Sequence, residues 1–323
     1  MKLAVFSSAQ EWAARYAGAG RRSILAIGNF DGIHLGHQAI LRGVVARAKE
    51  AGDVATVLTF EPPPLKILRP EVAPPRLSTN EQRLVWFDAA GVEAAVVLPF
   101  TMELSRVTPE NFAEDILSRG LRVRSVLVGE NFRFGHKQAG DVKLLRELGA
   151  RLGFEVVIVP PVSFRGEIVS STVIRREIAA GNVSHAARLL GRPFVLTGPV
   201  VSGTGTGRKF TFPTLNLAPE QELLPAAGVY ITQMKLESAS YDAVTNIGTR
   251  PTFNGTGLSV ETHLLGESEE MHPARMKIRF WKRLRAEKKF SGPAELKQQI
   301  ARDIGQAGRF FAQLKKLRAE RAR

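Results

Sequence analysis

The stretch Gly28–Leu41, GNFDGIHLGHQAIL, sets two histidines three residues apart among glycines, directly after the apolar run SILAIG and at the start of a helical pattern. A strand that hands a glycine-rich turn to a helix N-terminus is the opening of a parallel β-α-β unit, and the same alternation recurs along the first half of the chain. Candidate strands are SILAIG, DVATVLTF, EAAVVLP, SVLVG and FEVVIVP. Between them, segments such as HQAILRGVVARAKEAG and NEQRLVWFDAAGV carry apolar residues at spacings of three and four, the period of an amphipathic helix. The expected fold class is α/β, with a doubly wound parallel sheet in this half. Ligands of such sheets bind beyond the carboxyl ends of the strands. The polar and glycine-rich peptides fall there: GNFDGIHLGH, FEPPP, PFTMELS and GENFRFGHKQAGD follow the first four strands, and VSSTVIRREI leads into the last helix of this half.

The texture changes after HAARLLGRPF. From Phe194 onward FVLTGPVVSG, GVYITQMKL, DAVTNIG, LSVETHLL and ARMKIRFWKRL read as strands separated by Gly, Pro, Asn and Thr turns, and PAELKQQIARDIGQAGRFFAQLKKLRAE reads as one amphipathic helix. A small antiparallel β-barrel with a C-terminal helix packed on it is expected. The domains are expected at residues 1–186 and 187–323, meeting near residues 182–192 without a long linker.

A chain of 323 residues with 44% hydrophobic content suits two domains of ordinary size. Cysteine is absent, which excludes disulfides and thiolate metal sites. The opening MKLAVFSSAQEWAARYAGAG lacks the charged head and long apolar stretch of a secretory signal, and no run approaches the roughly 20 apolar residues of a membrane span. A cytoplasmic protein without a membrane partner is expected. The net charge of +14 invites anionic partners, nucleic acid first among them. Much of that excess lies after Arg275, in KRLRAEKKF and QLKKLRAERAR, and aromatic residues make up 7% of the chain without alternating with basic ones as a base-stacking groove requires. Small phosphorylated ligands fit this field, and nucleic acid is not expected as a partner.

His34 and His37 stand at i, i+3, on one face of a first helical turn. A helix N-terminus offers unpaired N–H groups and partial positive charge, while Gly28, Gly32 and Gly36 allow close approach to the backbone. Two imidazoles there can donate to a triphosphate without forming a covalent intermediate. A zinc site is the rival, yet the helical metalloprotease motif needs His at i and i+4 with Glu between them, and here Leu-Gly intervenes. A capping histidine with a structural neighbour is the plainer alternative.

GNFDGIHLGH resembles the HxGH signature of the nucleotidyltransferase superfamily, which takes in adenylyltransferases, cytidylyltransferases and class I aminoacyl-tRNA synthetases. The lysine-rich KMSKS-type loop of the synthetases is absent. With LTFEPPP, VGENFRFGHKQAGD and VSSTVIRREI, in order and spacing, the first half resembles the N-terminal module of the bacterial bifunctional riboflavin kinase/FAD synthetases. That resemblance implies transfer of AMP from ATP to FMN with release of pyrophosphate. It implies that His34 and His37 hold the phosphates, that Gly28, Asn29, Phe30, Asp31 and Gly36 shape the turn beneath them, and that Ser170, Ser171, Thr172 and Arg175 clamp ATP. Asn131 is implied as a flavin or nucleotide contact. Read alone, SSTVIRR is a plain N-cap before a helix.

In the second half, GTGTGRKFTFPTLNL is glycine-rich and basic but matches neither G-x-G-x-x-G nor the P-loop, and a generic hairpin loop accounts for its glycines. Thr214 and Asn216 are two apart, so in an extended segment their oxygens face the same way, as hard ligands for magnesium. GRKFTFPTLNL, GVYIT, AVTNIGTRPTFNG, VETHLL and FWKRLRAEKKF resemble the riboflavin kinase barrel of the same family, again in order. This implies that Thr214 and Asn216 bind Mg2+ with ATP, that Gly203, Gly207 and Lys209 contact the nucleotide, and that Glu261 is the general base toward the ribityl 5'-hydroxyl. Arg285 and Glu287 are implied to order a flap near the flavin. On spacing alone, Glu261 reads equally as a solvent-facing strand residue.

Three positions depart from the family pattern. Pro63 in PPP replaces the histidine of Pro-His-Pro, Val173 stands where arginine is common, and Phe210 and Thr211 replace Leu-Gly. One lost phosphate-binding imidazole costs roughly two to three orders of magnitude in rate. The sequence therefore sets a bifunctional enzyme, with riboflavin, FMN and ATP as its ligands, against two alternatives. These are a riboflavin kinase with a degenerate first module and a basic nucleic-acid-binding protein on an old nucleotide fold.

Overall fold

The computed structural model describes residues 2–201, 214–236, 239–252, 255–266, 273–288 and 290–321. Two compact units emerge, Met1–Ser171 and Thr172–Arg323. In the first, strands β1 (Ala4–Phe6), β2 (Ser23–Ile27), β3 (Val54–Glu61), β4 (Ala94–Pro99), β5 (Val123–Gly129) and β6 (Glu155–Val159) form one sheet in the order β1-β4-β3-β2-β5-β6, every pair parallel. Helices α1 (Ala9–Tyr16), α2 (Leu35–Ala51), α3 (Pro64–Leu68), α4 (Asn80–Ala89), α5 (Pro109–Asn111, continuing as a wider π-type turn to Gly120) and α6 (Val142–Leu152) connect the strands. A short hairpin, β7 (Ser163–Phe164) and β8 (Glu167–Ile168), closes the unit.

All five β2 residues are buried because the sheet is covered on both faces. Leu25 and Ile27 join Trp12, Leu117 and Leu145 in one core, while Ile24 and Ala26 join Leu41, Val44 and Phe87 in the other. Helix boundaries follow local chemistry. Thr79 and Gln82 form a reciprocal capping box at the start of α4, and α2 stops where Gly52 turns left-handed at φ +67°.

The second unit holds all but the first residue of α7 (Ser171–Ala179), α8 (Val183–Leu190), strands β9 (Phe194–Val201), β10 (Thr214–Leu217), β11 (Gly228–Leu236), β12 (Ala239–Thr252), β13 (Gly255–Leu264) and β14 (Arg275–Ala286), and helix α9 (Pro293–Arg321). The strands close into a six-stranded antiparallel barrel, order β10-β13-β12-β11-β14-β9. Helix α9 lays Ala307 and Phe311 over Val229, Ile231 and Val244 on the barrel's outer face. The division between units lies ahead of the expected 186/187 boundary because α7 and α8 belong with the barrel. Helix α8 packs on β14 and β9, Ser184 Oγ donates to the Trp281 carbonyl at 2.7 Å, and Arg283 reaches the Ala180 carbonyl at 3.3 Å.

Both expected architectures are present, with four additions to the candidate strands: the short β1 at the sheet edge, β10, which completes the barrel, and the β7–β8 hairpin. No helix among the described residues is long and apolar enough to cross a membrane.

Candidate functional site

In the first unit the parallel strands place Gly28, Glu61, Phe100 and Glu130 at one edge of the sheet, and the histidine pair is built there. His34 is the N-cap of α2, in extended conformation (φ −73°, ψ 175°), so it stands just outside the first turn in which the sequence places it. Its Nδ1 accepts from the His37 amide at 3.4 Å, and the two imidazoles stack at 3.7 Å and 20°. A neutral ring that accepts at Nδ1 carries its proton on Nε2, so the cap sets the tautomer in which Nε2 donates. Capping and ligand binding, alternatives on sequence, are thus compatible in one ring. Phe30 meets His37 edge-on at 5.2 Å and Phe87 at 5.6 Å, fixing the stack from below.

Two of the glycines also make room for the aromatic rings. A Cβ on Gly36 would lie 3.1 Å from His34 Cε1 and 3.2 Å from its Nδ1, and one on Gly28 would touch the Phe30 ring at 3.4 Å. Gly36 therefore makes room for the imidazole itself. Gly32 supplies a positive φ of +78°, and Phe30 (+48°) and Ile33 (+38°) share the left-handed region, at a cost of order 1–3 kcal/mol each that the surrounding packing must offset.

The segment 76–83 holds that loop. The Asp31 carboxylate accepts the Leu77 amide at 3.0 Å and the Ser78 amide and hydroxyl, both at 3.1 Å, and Ser78 Oγ accepts the Gly32 amide at 3.0 Å. Arg83, 2% exposed, donates from Nη1 to the Asn29 carbonyl at 2.8 Å and from Nη2 to Glu61 Oε2 at 2.6 Å. Arg76 forks onto the same carboxylate at 2.7 and 2.9 Å. Burial pulls the Arg83 guanidinium below its ordinary pKa, opposed by Glu61 and Asp31. None of Ser78, Arg83, Glu61 or Arg76 was singled out from sequence; the T-x-x-Q capping box marks the helix start but not the arginine's burial.

Ser171 Oγ donates to the Asp31 carbonyl at 3.0 Å, bringing the 170–171 peptide against the loop. Thr172 and Arg175 belong to the second unit, one and four residues along α7, so the first unit by itself assembles His34, His37, residues 28–33, Ser170 and Ser171. Asn131 is exposed in the turn after β5, at the same sheet edge. Pro63 precedes α3 as its N-cap residue without a side-chain cap bond.

In the barrel, Thr232, Thr245 and Thr262 are fully buried and form a ladder of hydroxyls at 2.7 and 2.9 Å. Successive residues of a strand face opposite ways, so Asn246 and Glu261, next to two of these threonines, face outward. Register continues the outer row: Val201, Asn216, Glu261, Asn246, Val229 and Arg285 are paired in turn across six strands. Directly paired side chains have Cβ atoms about 4.5–5.5 Å apart, so Asn216 and Glu261 are neighbours, and Thr214, two residues before Asn216, shares their face. A Cβ on Gly248 would fall 2.9 Å from Glu287 Oε1, 3.1 Å from Asn246 Nδ2 and 3.6 Å from Ser259 Oγ, so the Glu287 carboxylate lies over Gly248 beside the same row. Arg285 is committed to helix α9: its Nε and Nη2 donate to Asp303 Oδ2 at 3.0 and 2.9 Å, and Asp303 is 2% exposed. Gly203, Gly207, Lys209 and Thr211 lie outside the described residues.

These two constellations coincide with two family matches. Residues 18–173 match the FAD synthetase family and residues 190–311 the riboflavin kinase family. The chain is 36% identical over 289 residues to the bifunctional riboflavin kinase/FMN adenylyltransferase of Escherichia coli K12, across 89% of this chain and 92% of the relative. The chain belongs to the bifunctional riboflavin kinase/FMN adenylyltransferase family. Its likeness to the Pseudomonas fluorescens member is 37% over 288 residues, with the same coverage. A solved Streptococcus pneumoniae structure described as a macrolide-efflux protein superposes with TM-score 0.83 at 27% identity, covering 94% of this chain and 97% of that one. The family's enzymes are ATP-dependent transferases of flavin cofactor synthesis, and both catalytic modules are present here in the family order.

The donor set bears on a metal. Among the described residues no group of three or more histidine, aspartate or glutamate side chains is placed to hold an ion. What the outer row offers is a hydroxyl, an amide oxygen and one carboxylate, all hard oxygens. That set fits Mg2+, which keeps several waters and takes its remaining ligands from substrate phosphates.

Proposed function

We propose that this chain phosphorylates riboflavin to FMN on its barrel and adenylylates FMN to FAD on its parallel-sheet unit, with MgATP in both reactions. The observation that carries the reading is the stacked His34–His37 pair at the N-terminus of α2, set on the carboxyl edge of the sheet, in a chain whose second unit carries a separate row of oxygen ligands. The catalytic domains are read as 1–186 and 187–323; the family matches leave residues 174–189 between them. The cytoplasm, where ATP is plentiful, is the proposed location.

In adenylyl transfer, an FMN phosphate oxygen attacks the α-phosphorus of ATP in line and the bond to pyrophosphate breaks. Charge builds on the α-phosphoryl oxygens and on the leaving group. His34, donating from Nε2, and His37 stand where a helix N-terminus already favours anions, so their hydrogen bonds strengthen as that charge grows. The loop Gly28–Asp31 and Gly36 set the imidazoles; Ser170 and Ser171 hold the triphosphate, and Asn131 contacts the ligand from the β5 edge.

In the kinase reaction the ribityl 5'-oxygen attacks the γ-phosphorus while its proton passes to the Glu261 carboxylate, and ADP leaves. Thr214 and Asn216 would hold Mg2+, which supplies neutralisation of phosphate charge. Gly203, Gly207 and Lys209, outside the described residues, are assigned to the nucleotide by the family resemblance alone, and Arg285 orders the end of β14.

Purified protein incubated with riboflavin and MgATP, its products separated by chromatography, tests the proposal. FMN followed by FAD is expected. FMN without FAD would favour a degenerate first module and point to Pro63 and Val173; neither product overturns the reading.

A further inference from the structure

We propose that Arg83 is a positioning residue for adenylyl transfer, tethering the Asn29 carbonyl so that the loop ahead of α2 delivers His34 and His37 in register with the substrate phosphates. The inference deepens the reading above and rests on it.

Arg83 is an arginine almost without solvent, and taking a guanidinium out of water is costly unless each donor is met by geometry. Its two Nη groups meet four acceptors from three places, while the buried Nε has no partner. Nη1 reaches the Asn29 carbonyl at 2.8 Å and Thr59 Oγ1 at 3.1 Å; Nη2 reaches Glu61 Oε2 at 2.6 Å and Asn80 Oδ1 at 3.0 Å. The motif loop, the end of β3 and the first residue of α4 are thereby held by one planar fork. Of these bonds, the one to Asn29 acts on the loop that carries the histidines. Phe30, the next residue, sits at positive φ and supports His37 edge-on, so a shift at Asn29 passes through one ring to the stack.

Two details separate positioning from stability. Glu61 keeps both oxygens bonded to Arg76 when Arg83 is gone, so no carboxylate is orphaned. The far side of the loop stays pinned by Asp31 to Leu77 and Ser78. Removing one partner of a buried ion pair is strongly destabilising when it strands the other charge, and here Arg76 keeps Glu61 paired. Arg83→Met therefore should fold, yet leave the Asn29 carbonyl with only the Thr59 hydroxyl, at 3.5 Å. Lysine lacks the planar fork by which two separate nitrogens hold Asn29 and Glu61 in fixed geometry.

The experiment uses the full chain, so the kinase reaction serves as an internal control. For Arg83→Met, kcat for FAD formation from FMN and MgATP is expected to fall about 30-fold, in the range for misplacing a catalytic group by a fraction of an ångström to one ångström. KM for ATP should stay within about threefold, FMN formation from riboflavin should match wild type, and the thermal midpoint should hold. Arg83→Lys should show the same split between kcat and KM. A folded Arg83→Met with FAD formation within about threefold of wild type overturns the proposal. So does a loss of activity that tracks loss of native circular dichroism in Arg83→Met while Arg83→Lys is fully active, since charge alone would then suffice. A wild type that makes no FAD overturns the adenylyltransferase reading together with this one; active variants beside an active wild type remove only the role of Arg83.

Discussion

Gly36→Ala tests how finely the histidine pair is placed. The added methyl would sit 3.1 Å from His34 Cε1 and 3.2 Å from Nδ1, short of ordinary 3.4–4 Å contact by a few tenths of an ångström. His34 cannot yield by turning outward, because it is 7% exposed, stacked on His37 at 3.7 Å and bonded to the His37 amide. The ring must slide and the cap bond weaken. Stability hardly registers this: replacing glycine by alanine inside a helix gains up to about 1 kcal/mol, and losing an N-cap costs about the same. Activity responds directly, since an error approaching 1 Å in a catalytic group can cost about 100-fold and a few tenths of an ångström about tenfold. The assay is steady-state FAD formation from FMN and MgATP, with the thermal midpoint and riboflavin phosphorylation measured on the same preparation. A thermal midpoint within about 2 °C, unchanged FMN formation and a roughly tenfold lower kcat for FAD are expected. FAD formation at the wild-type rate would refute the reasoning, because the imidazole would then tolerate displacement.

His37→Ala should abolish FAD formation and spare FMN formation, whereas Glu261→Gln should do the reverse when FMN is supplied; equal loss of both activities in either variant would show the sites to be inseparable. Asp303→Asn leaves Arg285, whose side chain is 22% exposed, short of its buried partner and should destabilise the barrel by roughly 1–3 kcal/mol, read as a lower thermal midpoint, with kinase activity falling more than adenylyl transfer. The Glu295 carboxyl is held at about 2, below its ordinary 4.5, by Lys288 and by the Ser291 amide and hydroxyl. Its folded value is the lower one, so what it adds at the start of α9 is present above about pH 4.5 and fades as pH falls toward 2, which NMR titration of its side-chain carbon checks by an inflection near 2 rather than 4.5.

The core strands were legible because runs such as SILAI and VATVLTF are β-branched, apolar and bounded by glycine or charge, which is what a sheet covered on both faces demands. β1, three residues near the N-terminus, carries no such run, and its pairing with β4 is a long-range choice that local patterning does not encode. β10 was visible as an extended stretch around Thr214 and Asn216, but barrel closure depends on pairing with β9 and β13 at once. The histidine pair was legible through spacing and glycines; the cap role of His34 was open until the helix began at Leu35. Arg83 and Asp303 were hidden for one reason. In a helical segment a buried charged residue is spelled like an exposed one, and only the neighbours brought by the fold, Asn29 and Glu61 for one, Arg285 for the other, distinguish them.

The outer row around the barrel has a mechanical corollary. Asn216 and Glu261 are opposed because two strands meet at one offset, and a deletion of a single residue upstream of Glu261 within β13 would swing its carboxylate into the hydroxyl-lined lumen and bring a neighbour out in its place. A closed ring of strands offers no free margin where such a slip could be absorbed. Phosphorylation of riboflavin would then serve as a gauge of strand alignment, going silent at the first misthreaded residue while secondary-structure content remained almost unaltered.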